Sequence, residues 1–400
     1  MTQTWALLVD AYRELNAKKL FWITLALSGL VVAATACIGI NERGIELLVW
    51  TLDAPVNTTL PGMTEERFYK ELFINFGLGI WLTWIATVLG LVSTAAIFPD
   101  FVSGGSIEMS LSKPISRTRL FLTKYALGLL FMTLQVTVFT VASFLVLGLR
   151  GGVWEFGVFL AIPLVVLFFS YLFSVCALLG LLTRSTIASL LLTILFWFLL
   201  FILNAADAGL MQPVLQYEQE IENRRAAMAN AEARIERLEA AQVELRERAE
   251  SADARPSDRQ ALADNERSLD GTSKFVERAE SGIERAEESK ATWEPWHEAV
   301  VAIKTPLPKT GETIALLERW LIDAASLREM RGDWDESMEE FVTEDGEPVN
   351  RSFDPDQRDQ QRAIEEEYRS RSVWWVLGTS VAFEVVVLLV ATVVFVRRDF

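Results

Sequence analysis

The chain has 400 residues, half of them apolar, yet it carries a net charge of −16. An acidic chain repels phosphates, which excludes nucleic acid as a partner, and one this apolar is no ordinary soluble acidic protein, so the two properties must occupy different segments. They do: residues 205–371 hold 40 of the 53 acidic and 23 of the 37 basic residues, and the remainder is near neutral and apolar.

The chain opens on residues 1–19, where Trp5, Leu8, Val9, Tyr12 and Leu15 recur at helical spacing and Arg13, Lys18 and Lys19 gather towards the end. That pattern predicts an amphipathic helix lying on a membrane surface. Residues 20–40 form the first apolar run, of membrane rather than signal length. Residues 41–71 read as a polar loop with one short apolar patch, 45–52. Further spans are expected at 72–98, 125–148, 157–182 and 187–203, and a sixth at 373–396. Cys37 and Cys176 both fall inside apolar runs and read as small core hydrophobes without a disulfide.

The basic residues flanking these runs set an orientation. With the N-terminus inside, the cytoplasmic segments carry Arg13, Lys18, Lys19, Lys113, Arg117, Arg119, Lys124, Arg184, Arg397 and Arg398. Both termini are then cytoplasmic, and 204–372, after five spans, is extracytoplasmic. That insert contains two heptad rows: Ile221, Met228 and Ile235, with Ala231, Leu238 and Leu245 interleaved; then Leu262, Leu269, Val276 and Ile283, with Ala279, Ala286 and Trp293. Arg255-Pro256-Ser257-Asp258 separates them. The expected fold class is therefore an all-α membrane protein of six transmembrane helices, with a large extracytoplasmic coiled-coil helical hairpin between helices five and six. A small helical subdomain, including a helix over 311–327, is expected at the hairpin's base. The hairpin reads either as a platform for an extracytoplasmic partner or a second protomer, or as an elongated self-packed spacer with a solvated charged face.

The segment 99–124, inside its flanking helices, combines a Pro-Asp break at Pro99, a Gly-Gly pair and a Lys-Pro-Ile-Ser-Arg turn. Such punctuation suits a chain that leaves a membrane, turns and re-enters. Gly105-Ser106-Ile107-Glu108, Leu111-Ser112-Lys113-Pro114-Ile115-Ser116-Arg117 and Lys124 resemble the first cytoplasmic loop of ABC-2-type exporter permeases. The resemblance implies a permease subunit of an ATP-binding cassette exporter, working as a homo- or heterodimer with a separate ATPase subunit. It also implies that Gly105, Ile107, Glu108, Leu111, Lys113, Pro114 and Arg117 form the coupling element on which the ATPase docks. ATP and magnesium would belong to that partner, so this chain needs no cofactor of its own.

The chain has no G-x-x-x-x-G-K-[ST] phosphate loop; Lys309-Thr310-Gly311 lacks the glycine spacing. It has no Cys cluster and a single histidine, His297, too little for a metal or triad site, and the reading is a transport subunit rather than an enzyme. One residue stands apart. Glu384 falls near the middle of the sixth span, where a carboxylate is expensive. Gln135, Ser170 and Tyr171 lie at similar depth and complete a candidate intramembrane polar layer. A second reading, from another class, is a membrane-anchored coiled-coil scaffold without transport activity.

Overall fold

The computed structural model describes residues 19–41, 44–47, 50–53, 65–103, 116–152, 154–251, 255–321 and 369–397. All but Lys19 of the expected helix over 1–19, the whole of 104–115 and the segment 322–368 lie outside them. Apart from one small sheet, the described chain is helical. Among the described residues, six helices are long and apolar enough to cross a membrane: Lys19–Cys37, Phe68–Val102, Arg117–Arg150, Phe156–Thr183, Thr186–Glu250 and Val373–Arg397. This is an all-α membrane protein in its architecture.

Helix α1 spans Lys19–Cys37 and has apolar residues all round, as a lipid-embedded helix does. Its few hydroxyls turn back on the helix: Thr24 Oγ1 donates to Leu20 O at 2.8 Å, which satisfies a polar group where water is absent. The stretch read as a polar loop instead begins with three short antiparallel strands, β1 (Ile38–Asn41), β2 (Gly44–Leu47) and β3 (Trp50–Asp53). Their register pairs Ile40 with Ile45 and Ile45 with Leu52. The apolar patch at 45–52 belongs to the second and third strands of this meander.

The second span is built from α2 (Glu65–Glu71), a π-wound segment (Leu72–Ala86), α3 (Thr87–Thr94) and α4 (Ile97–Ser103). The wide winding shows in the side chains. Thr83 Oγ1 and Thr87 Oγ1 donate to carbonyls five residues back, Leu78 O and Leu82 O, at 2.8 and 2.9 Å. Trp81 Nε1 donates to Ser28 Oγ at 3.2 Å and ties this span to α1.

Helix α5 (Arg117–Arg150) starts eight residues before the position expected from hydropathy. Ser116 caps it by accepting from Arg119 N. Arg117, Arg119 and Lys124 are thus on helix rather than loop. A short 3-10 turn, Phe156–Leu160, leads into α6 (Ala161–Thr183), the most deeply buried span. Arg184, in the left-handed region at φ 54°, closes α6, the place a helix end turns the chain back.

Helix α7 (Thr186–Glu250) runs on past the expected end of the fifth span without interruption, with Pro213 inside it. Helix α8 covers Pro256–Lys304. Helix α9 (Thr310–Leu321) and helix α10 (Val373–Arg397) complete the chain.

The chain divides into two compact units. In the first, the membrane helices and α9 share one apolar core. Helix α9 had been expected in a subdomain beside the hairpin; instead Leu316 and Leu317 are buried among residues of the spans. Its apolar stripe needs a partner, and the spans supply it. In the second unit, residues 203–303, the two helical arms pair antiparallel. Arg225 bridges to Glu287 at 2.7 Å, Lys290 to Glu218 at 3.4 Å, and Asn265 Nδ2 donates to Leu238 O at 3.0 Å. Ile221, Ala231, Ala279 and Ala286, all seam positions in the heptad reading, are buried.

Candidate functional site: a polar core within the membrane helices

Helix α5 carries an inward stripe of Tyr125, Gly128, Met132, Gln135 and Phe139, all buried, at the three-to-four spacing of one helix face. Gly128 is required there. A Cβ on it would stand 2.3 Å from the Phe173 ring of α6. That close approach lets Phe173 stack on Tyr125, with centroids 5.1 Å apart and planes 12° from parallel. Phe169 stacks on the other side at 5.5 Å. The aromatic stack holds the Tyr125 hydroxyl in place.

Tyr125 Oη stands 2.8 Å from Glu384 Oε1 of α10 and 2.9 Å from Ser170 O of α6. Ser170 Oγ stands 2.8 Å from Glu384 Oε2 and 2.7 Å from Leu167 O. Three helices therefore meet at one carboxyl group. Ser170 and Glu384, expected together, are together. Hydropathy puts Tyr125 at the very start of a span, whereas α5 begins at Arg117 and carries it to the level of Glu384.

Tyr171, the third expected member, is fully buried, and its hydroxyl has no hydrogen-bond partner. Its polar surroundings include Thr313 of α9 and Ser380 and Glu384 of α10. Gln135 is buried without a partner for either its amide nitrogen or its oxygen, and it makes no contact with the Glu384 group. The expected layer is thus two groups: a bonded trio of Tyr125, Ser170 and Glu384 with Tyr171 beside it, and an isolated Gln135.

A second polar cluster sits towards the N-terminal end of α10, where α8 turns into α9. Lys309 is fully buried. Its ammonium donates to Leu307 O at 3.0 Å, to Thr379 Oγ1 at 2.6 Å and to Thr305 O. It also lies 4.6 Å above the Trp375 ring, a favourable cation–π position. Its backbone N–H donates to Ser380 Oγ at 2.9 Å. Burial is the main cause that brings its pKa down from 10.5 to about 8; Glu312 opposes the shift and Lys304 adds to it. Glu312, itself buried, pairs with Lys304 and with Arg371 at 3.2 Å. The lysine set aside as a failed phosphate loop is the pin that fastens α9 to α10. A lysine followed by a helix start, after a Pro-rich turn, is not a signal that sequence reading can tell from a surface charge.

At the other end of the bundle, Phe98 and Phe121 pack at 5.1 Å, and Phe395 of α10 lies 5.9 Å from Phe121 and 6.1 Å from Phe101. Arg117 Nη1 donates to Val396 O at 3.0 Å. Of the seven expected coupling residues, only Arg117 lies among the described residues. Gly105, Ile107, Glu108, Leu111, Lys113 and Pro114 lie outside them. In the second unit, His297 Nε2 stands 3.1 Å from Oδ1 of Asp207, a carboxyl with no exposure; the histidine that looked ordinary has a buried partner. Among the described residues no cluster of His, Cys, Asp and Glu could hold a metal.

No curated protein and no solved structure matches the chain. Residues 12–322 match the profile of a family described as ABC-2 family transporter protein. The match covers the first five spans, the loop after the second, and α9. It agrees with six membrane-length helices and a multi-pass membrane protein. Members of that family are membrane transport subunits that work with an ABC ATPase. The chain belongs to the ABC-2 family of transporter proteins, as a membrane permease subunit of an ABC transporter.

Proposed function

We propose that the chain is the permease of an exporter in the cytoplasmic membrane, and that an ATPase drives it by pushing on residues 99–124. One observation carries this reading: both flanks of that loop are bound to α10. Arg117 holds the carbonyl of Val396, and the rings of Phe101 and Phe121 contact Phe395. A displacement of the loop therefore moves the helix that carries Glu384. Ile107 and Leu111 supply the apolar contact, and Glu108, Lys113 and Arg117 the polar ones, with Gly105 and Pro114 shaping the turn. ATP and magnesium act on the partner.

In this reading the loop and both termini face the cytoplasm, as the basic flanks require. The paired arms of 203–303 form an extracytoplasmic coiled coil, which meets a second protomer or an envelope partner. The polar layer at Glu384 lines the translocation path, with Ser170 and Tyr171 beside it and Gln135 further along the same helix face. A dimer of two such chains completes the path. The test is a pull-down from the native membrane. An ATPase should co-purify with the unaltered chain and be lost from the double variant Glu108→Ala, Arg117→Ala. Retention of the ATPase by that variant, at unchanged expression, would place the docking site elsewhere.

A further inference from the structure

Glu384 is surrounded by more acceptors than the hydroxyls can serve. The four contacts are Tyr125 Oη with Ser170 O and with Glu384 Oε1, and Ser170 Oγ with Leu167 O and with Glu384 Oε2, at 2.7–2.9 Å. A carbonyl cannot donate, and each hydroxyl has one proton. With an ionised carboxylate, only two of the four contacts can contain a proton. A proton on Glu384 fills a third, because a hydroxyl that donates to its carbonyl can accept from the acid. The contact set has a place for one proton beyond those of the two hydroxyls.

The charges around the group point the same way. Among the described residues, Glu384 makes no ion pair with any Lys, Arg or His. The titratable groups that face it are Tyr125 from α5 and Tyr171 from α6. Lys309, the cation of the α9 turn, is already held by Thr305 O, Leu307 O and Thr379 Oγ1. An ionised carboxyl within a span, without a cation, is costly. A neutral one removes that cost and gains a hydrogen bond.

We propose that Glu384, Tyr125 and Ser170 form a proton-binding site, occupied in this conformation. The site concerns this chain alone and holds whether or not an ATPase docks on 99–124.

The experiment is infrared spectroscopy of the full chain in lipid near neutral pH. The spectrum should contain the carbonyl band of a protonated carboxylic acid, shifted by deuterium oxide and absent from Glu384→Gln. Glutamine has the shape of the neutral acid, so this variant should fold. Should it not, labelling the glutamates of the unaltered chain with ¹³C must shift the same band. Absence of a band that responds to the substitution or to the label overturns the site.

Discussion

Lys309 shows what burial does to a single charged group. Its ammonium has three oxygen acceptors and an aromatic face, yet the loss of water still lowers its pKa to about 8. The unfolded chain then binds more protons than the folded one between pH 8 and 10.5. Stability should therefore rise with pH through that window and be independent of this group below it. Thermal unfolding of the wild type and Lys309→Met across pH 7–11 should differ by that slope, which the variant lacks. Parallel curves would mean that the group titrates normally. Gly128 is the other residue whose identity is dictated by a neighbour. Gly128→Ala puts a Cβ 2.3 Å from Phe173 and should destabilise the bundle by about 1–3 kcal/mol, the range for overpacking. Combining it with Phe173→Leu should recover part of the loss, because the two share one contact. Additive losses would show that the clash is relieved elsewhere.

Helix α9 illustrates the same logic one level up. Alone it is a short amphipathic helix of twelve residues, too short to be stable in water. Its buried stripe and the pair of bridges from Glu312 to Lys304 and Arg371 hold it against the spans. Glu312→Ala removes the carboxylate that both cations share and should cost about 3 kcal/mol. Limited proteolysis should then cut within 304–321 sooner than in the wild type. Equal protection would mean that the apolar stripe alone holds the helix. The loop flanks follow a comparable rule. Helices α4 and α5 are joined to α10 by rings and by one backbone acceptor, so the ends of these three helices hold together.

At the scale of the molecule, two kinds of surface share one chain. The spans expose rows of large apolar residues, among them Ile187, Leu191, Leu195 and Phe198 on α7 and Val386 and Leu389 on α10, as lipid-facing helices do. The arms of 203–303 instead have charged outer faces and small buried residues. The orientation proposed above predicts a simple labelling result. With Cys37 and Cys176 replaced by Ser, a single Glu250→Cys should react with a membrane-impermeant maleimide added to intact cells. Reaction only after permeabilisation would invert the topology.

The sequence by itself determined the class of the protein and the family. Six apolar runs of membrane length, a basic bias on alternate loops and an acidic insert with heptad spacing are all local properties. Hydrophobicity and charge act wherever a segment is placed, so they are legible without a fold. The resemblance at 105–117 pointed to the family that the match over 12–322 confirmed. The position of Glu384 near the middle of a span was legible for the same reason. Its partners were only half legible. Ser170 shares the depth of Glu384 by position along its span, whereas hydropathy puts Tyr125 at a span's edge because it does not show that α5 begins at Arg117. Gln135 lies on the same face of α5 as Tyr125 but ten residues, about 15 Å, further along the helix, so it does not reach Glu384. The small sheet, the location of α9, the cage around Lys309 and the pairing of His297 with Asp207 were decided only by tertiary structure. The sheet depends on local pairing that hydropathy does not show; the other three join residues far apart in the chain, and what makes each charge tolerable is the neighbour it meets after folding.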